Sequence, residues 1–127
     1  MTDCPFCVVP GSAVIARNER FLALADGFPV SPGHTLIVPV RHAASFFDLD
    51  DRERQAMLEL VGEVKAILEE RHHPAGFNVG WNDGPAAGQT VMHFHLHVIP
   101  RYEGDVADPR GGIRWIFPDR APYWDGA

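Results

Sequence analysis

The chain has 127 residues, enough for one domain that buries its own core without disulfides. Hydrophobic residues make up 46% of it and glycine and proline are scattered throughout, which excludes a disordered or low-complexity chain and predicts that residues 1–127 fold as a single domain. The formal net charge of −6 argues against sequence-independent binding to nucleic acid, and no apolar run approaches the ~20 residues of a membrane span, although a small phosphorylated ligand remains compatible with a local cluster of donors.

In chain order, the first feature is Cys4-Pro5-Phe6-Cys7. This spacing puts two thiolates on one tight loop and suits a structural zinc site that takes two further N or S ligands. A thioredoxin-like redox motif has the same spacing, but it sits where a strand feeds a helix, and no helix pattern follows here. Short β-rich runs come next, at Val14 to Ala16 and Phe21 to Ala25, joined by a polar turn; a third strand is expected at Thr35 to Val38. Asp50 and Glu53 have capping-box spacing, and Met57, Val61, Val64 and Leu68 recur at helical steps, so a long helix is expected to end near His73-Pro74. A strand from Gly76 to Trp81, a loop from Asn82 to Gln89 and a long strand from about Thr90 to Pro100 complete the pattern. About five strands and one long helix, without βαβ alternation, predict an α+β domain with a mainly antiparallel sheet. The tail, about 102–127, has no assignable regular structure. Without a basic segment followed by an apolar one at the N-terminus, the expected location is the cytoplasm.

The last strand carries the chemistry. Residues 93 to 99 read His-Phe-His-Leu-His-Val-Ile, which on a strand puts His93, His95 and His97 on one face and Phe94, Leu96 and Val98 on the other. Three imidazoles about 7 Å apart make a poor purely structural face, since each needs a polar partner when buried. The face suits nucleophilic chemistry. It also suits a catalytic metal with an open position for water, and an exposed edge with incidental histidines is the plain alternative.

The run from Asn82-Asp83-Gly84-Pro85 through Gly88-Gln89-Thr90 to His93-Phe94-His95-Leu96-His97-Val98-Ile99-Pro100-Arg101 resembles the signature of the histidine triad (HIT) family, and Pro32-Gly33-His34-Thr35 through Pro39 matches that family's upstream pattern. The resemblance implies a HIT-like fold and an enzyme that cleaves at the α-phosphate of a nucleotide through a covalent nucleotidyl-histidine. Neutral imidazole suits such a nucleophile at pH 7. By the same resemblance His95 is the nucleophile, while His97 and His34 line the phosphate and stabilise its charge. Gly88, Gln89 and Thr90 would bind phosphate oxygens, with Asn82 nearby. Asp26 would accept hydrogen bonds from ribose hydroxyls. Zinc-bearing relatives imply that His42 and His93 complete a structural zinc site with Cys4 and Cys7, leaving His95 free for chemistry. A homodimer paired through its sheets is also implied.

The segment around Asp83 to Val91 is especially similar to the branch that cleaves dinucleoside polyphosphates, the fragile histidine triad hydrolases. Asn82 instead matches the nucleoside phosphoramidase branch, so a dinucleoside polyphosphate is the favoured substrate class and a nucleoside phosphoramidate the alternative. Arg110 and Arg114 in the tail are candidates to meet outer phosphates. A nucleotide-binding sensor and a zinc-supported interaction protein are the alternatives to an enzyme, though neither requires His34, His95 and His97 together.

Overall fold

The computed structural model describes residues 4–124; residues 1–3 and 125–127, the ends of the expected single domain and tail, lie outside the described residues. Five strands, β1 (Val14–Arg17), β2 (Phe21–Ala25), β3 (Thr35–Pro39), β4 (Gly76–Gly80) and β5 (Leu96–Arg101), form one antiparallel sheet in the order β1-β2-β3-β5-β4. One α-helix, α1 (Asp51–His72), joins β3 to β4 and covers one face of that sheet. The expected α+β architecture is the observed one. No helix among the described residues is long and apolar enough to cross a membrane.

Local chemistry explains each boundary. The β1–β2 turn is held by Asn18, whose Oδ1 accepts from the amides of Arg20 and Phe21 while its Nδ2 donates to the Ala56 carbonyl, tying the hairpin to the helix. The α1 N-terminus carries a complete capping box: Asp50 accepts from the Glu53 amide at 2.8 Å and Glu53 accepts from the Asp50 amide at 3.0 Å. The Glu53 carboxylate also receives Nε and Nη2 of Arg41, which fixes the backbone next to His42. The helix ends at His73, in the left-handed region at φ 52°, immediately before Pro74.

Strand alternation sorts the side chains onto two faces. Phe21, Ala23, Ile37, Leu96 and Val98 meet Met57, Leu60, Val64 and Leu68 of α1 in the main core. The intervening positions Leu24, Leu36 and Val38 form a second apolar layer on the opposite face, with Phe6, Val9 and Val14 packed on it. His97 stands opposite Leu36 on β3 and Gly80 on β4, and so projects from this second face.

One expectation is corrected. The last strand does not run from about Thr90: β5 begins at Leu96, so only His97 of the three histidines lies within a regular strand. The β3–β5 ladder stops at the Ile37–Leu96 pair, and the amide of Phe94 donates to the Ala43 carbonyl at 2.6 Å instead of to β3. His93 and His95 therefore occupy an irregular segment that leaves the sheet, and this departure lets His93 reach a separate cluster.

Candidate functional site

The ring nitrogens of the histidines can be assigned from their partners, because a carbonyl only accepts a hydrogen bond and a backbone amide only donates one. Nδ1 of His95 lies 2.9 Å from the His93 carbonyl and so carries the proton. Its Nε2 is left with the lone pair, the state a nucleophile requires. The His95 ring also lies edge-on to His97, with centroids 5.3 Å apart, and is half-buried.

A second chain of bonds orients His97. The amide of Val30 donates to Nδ1 of His34 at 3.1 Å, so the neutral His34 ring carries its proton on Nε2. That Nε2 donates to Nδ1 of His97 at 2.9 Å, with Oδ2 of Asp26 at 3.3 Å as a second acceptor. His97 in turn keeps its proton on Nε2. Burial pushes the pKa of both rings below the usual histidine value, although the Asp26 carboxylate pulls the other way. Both are therefore neutral near pH 7.

His34 owes its position to a close approach that only glycine allows. Gly33 has φ +90°, and a Cβ there would fall 2.9 Å from Cδ2 of His72 and 3.2 Å from Cγ of Pro100. His72, at the end of α1, thus packs against the loop that presents His34.

His93, fully buried, belongs to a different cluster. Its Nε2 donates to the Pro39 carbonyl at 2.9 Å, so the lone pair is on Nδ1, which lies 3.3 Å from Sγ of Cys4, 3.5 Å from Sγ of Cys7 and 3.2 Å from Nδ1 of His42. Sγ of Cys7 and Nδ1 of His42 are 3.1 Å apart. These four atoms lie within 4.8 Å of one another and can hold a metal ion. Tetrahedral Zn–N and Zn–S bond lengths set ligand separations of roughly 3.3–3.8 Å, and four N–N and N–S pairs of this cluster stand 3.1 to 3.5 Å apart. Burial holds the His93 pKa below its usual value, which favours the neutral ring that a metal needs. Asp26, His34 and His97 form a second compact group, within the same distance limit. It fits a metal poorly: an ion on Nε2 of a neutral His34 would force the proton onto Nδ1, against the Val30 amide.

The loop before the triad is braced from within. The amides of Ala87 and Gln89 donate to the Gly84 carbonyl and that of Gly88 to the Pro85 carbonyl, with Gly84 and Gly88 both at positive φ. Gln89 is buried; its Oε1 accepts from the Gly84 amide and its Nε2 donates to the carbonyls of Ala44 and Val91. The donors expected of Gly88 and Gln89 are thus committed inside the protein, a consequence of closing so short a loop. Asn82, exposed, lines a cavity of about 370 Å³ together with His34, His97, Trp81 and Ile113. Thr90, also exposed, instead borders a hollow with Cys4 and His42. Asp26 joins His34, with its other oxygen accepting from the Phe28 amide at 2.8 Å.

In the tail, which includes a 3-10 helix at Gly112–Ile116, Arg114 donates to the carbonyls of Arg120 and Ala121 and lies over the Tyr123 ring. Arg110 pairs with Asp108 and lies over Trp124. Both arginines are engaged in building the tail. Three contributors had no signal of their own in the sequence: the Val30 amide, the Ile113 wall and Phe6, which sits against His95. A backbone amide and two apolar side chains carry no motif.

The HIT domain family matches residues 9–104. An uncharacterized HIT-like protein of Mycoplasma genitalium is 42% identical over 106 residues, covering 80% of this chain and 75% of that one. A Schizosaccharomyces pombe protein named bis(5'-nucleosyl)-tetraphosphatase [asymmetrical] is 35% identical over 98 residues, covering 77% of this chain; the chain spans only 54% of that relative. Among solved structures, a Zn-bound histidine triad family protein from Mycobacterium smegmatis superposes with a TM-score of 0.75 at 35% identity, covering 84% of this chain and 80% of the other.

Proposed function

This chain belongs to the HIT domain family, and from that premise we propose that it is a nucleotide hydrolase or nucleotidyl transferase that forms a covalent nucleotidyl intermediate on Nε2 of His95. The observation that carries this reading is the hydrogen bond from His95 Nδ1 to the His93 carbonyl, which leaves Nε2 unprotonated. In the first step Nε2 attacks the α-phosphorus, the N–P bond forms and the P–O bond to the leaving group breaks. The leaving phosphate departs as its anion, accepting a hydrogen bond from Nε2–H of His97, which His34 orients through Nδ1. Water then attacks phosphorus, the N–P bond breaks with its electron pair returning to Nε2 of His95, and the water's proton passes to solvent. Splitting the displacement into two steps is what a covalent nucleophile contributes.

Dinucleoside polyphosphate is the favoured substrate class, in line with the name of the S. pombe relative. Nucleoside phosphoramidate is the second reading, favoured by Asn82 beside His34 and His97. Asp26 is assigned to the ribose through the capacity left on its oxygens, Thr90 and Asn82 to phosphate, and Gly88 and Gln89 to holding the loop. We assign zinc to Cys4, Cys7, His42 and His93, where it would be structural: when bound it ties the N-terminal loop to the segment carrying His95. A homodimer is proposed on the family resemblance, with β4 at the open edge of the sheet and Val79 exposed on it.

The test is intact-protein mass spectrometry of wild type and His95→Ala, quenched without acid after brief exposure to diadenosine tetraphosphate or an adenosine phosphoramidate. An AMP adduct on wild type alone supports the reading, and the faster compound identifies the substrate class. Binding of both compounds with neither adduct nor AMP release would replace it with the sensor alternative.

A further inference from the structure

The ring of Phe6, the residue inside the Cys4–Cys7 turn, lies 5.1 Å from the His95 ring centroid to centroid, tilted by 54°. It also meets His93 edge-on at 5.9 Å. The turn is closed by the Cys7 amide donating to the Cys4 carbonyl, and both sulfurs stand against His93, so the place of Phe6 is set on either side. His95 is thereby bounded by the His93 carbonyl, the His97 ring and the Phe6 ring.

Those three neighbours bear on the covalent step in different ways. When Nε2 forms a bond to phosphorus while Nδ1 keeps its proton, the imidazole becomes a nucleotidyl-imidazolium and gains a positive charge that the resting ring lacks. The His93 carbonyl accepts from the same N–H in both states and strengthens as the charge grows. His97 is neutral and adds little. The face of an aromatic ring attracts a cation within about 6 Å of its centroid through the ring quadrupole, without a like attraction for a neutral ring, and the Phe6 centroid lies within that distance of His95. An interaction present only after charge develops lowers the barrier to the step without tightening substrate binding.

We propose that Phe6 is a positioning residue of the covalent step, whose ring stabilises the positive charge that forms on His95 as the nucleotidyl bond is made. The proposal rests on the covalent reading above and adds to it a residue and a physical role. It also gives the aromatic residue between the two cysteines a function apart from holding a metal.

Replacing Phe6 by mono-, di- and trifluorinated phenylalanine keeps the shape of the ring while draining its negative face step by step. Rapid-quench mass spectrometry with diadenosine tetraphosphate then reads the rate of AMP-adduct formation on each protein, beside KM and bound zinc. A stepwise slowing, reaching roughly 3- to 10-fold across the series, with KM and zinc content unchanged, is expected. Phe6→Leu should fall at or below the end of the series and Phe6→Trp should restore the rate. Adduct formation at one common rate across the fluorinated series overturns the role of Phe6 and leaves covalent catalysis standing. Absence of any adduct on wild type overturns the covalent reading, and this role with it.

Discussion

His34 and His97, 63 residues apart in the chain, meet with Nε2 of the first 2.9 Å from Nδ1 of the second. The Val30 amide sets the tautomer of His34, and the contact passes that choice on to His97. Burial lowers the pKa of each from the ordinary 6.5. In the unfolded chain they titrate normally, so as pH falls below about 6.5 the unfolded state takes up protons that the folded state refuses. Stability should therefore decline through this window, until the pH also passes the lowered folded values. Melting temperatures recorded from pH 8 to pH 5 should fall for wild type and fall less steeply for the His34→Gln, His97→Gln double variant. Parallel curves would show that the buried rings do not set the acid limb.

Asp26 offers two separable effects. Its Oδ1 is engaged by the Phe28 amide and its Oδ2 faces His34. With ribose as its main partner, Asp26→Ala should raise KM several-fold and lower kcat less, and Asp26→Asn, which keeps an acceptor, should recover most of the KM. Steady-state kinetics on both variants separates the cases. A large loss of kcat at unchanged KM would place the residue with His34 alone.

The metal cluster makes a prediction about composition and stability. Wild type should carry close to one zinc per chain by elemental analysis, and Cys4→Ser with Cys7→Ser should carry none. Because none of the four ligands is a member of the core under α1, the double variant should still fold, with a lower melting temperature and a reduced kcat as His95 loses its neighbour Phe6. An unchanged melting temperature and metal content in that variant would remove the structural zinc site.

Leu60 lies at the middle of α1 with no exposed surface, against the sheet face opposite the site. Leu60→Ala should cost roughly 2–5 kcal/mol, the range for a leucine removed from a packed core. Urea unfolding of the variant gives the value directly. KM of the residual folded protein should be unaffected, since the site lies on the other face of the sheet.

Much of this protein is legible along the chain because its signals are local. The Asp50 and Glu53 capping box, the apolar steps of α1 and the alternation from Leu96 to Val98 each depend on backbone geometry within a few residues, and each appears where the spacing predicts it. The grouping of Cys4 and Cys7 with His42 and His93 was also expected, but only through family resemblance, since no spacing rule joins residues so far apart.

What the tertiary structure alone decided concerns directions and competing partners. The sequence places three histidines in alternation, but the end of the β3–β5 ladder at Leu96 turns His93 toward the cysteines and leaves His97 facing His34. Which nitrogen of His95 is available depends on a carbonyl two residues away, in a segment whose backbone follows Ala43 rather than β3. Gln89 reads as a phosphate donor in its motif, yet closing the loop draws its amide into the protein. Residue type fixes what a side chain can donate or accept; the partner it meets is decided by long-range packing, which no local pattern encodes.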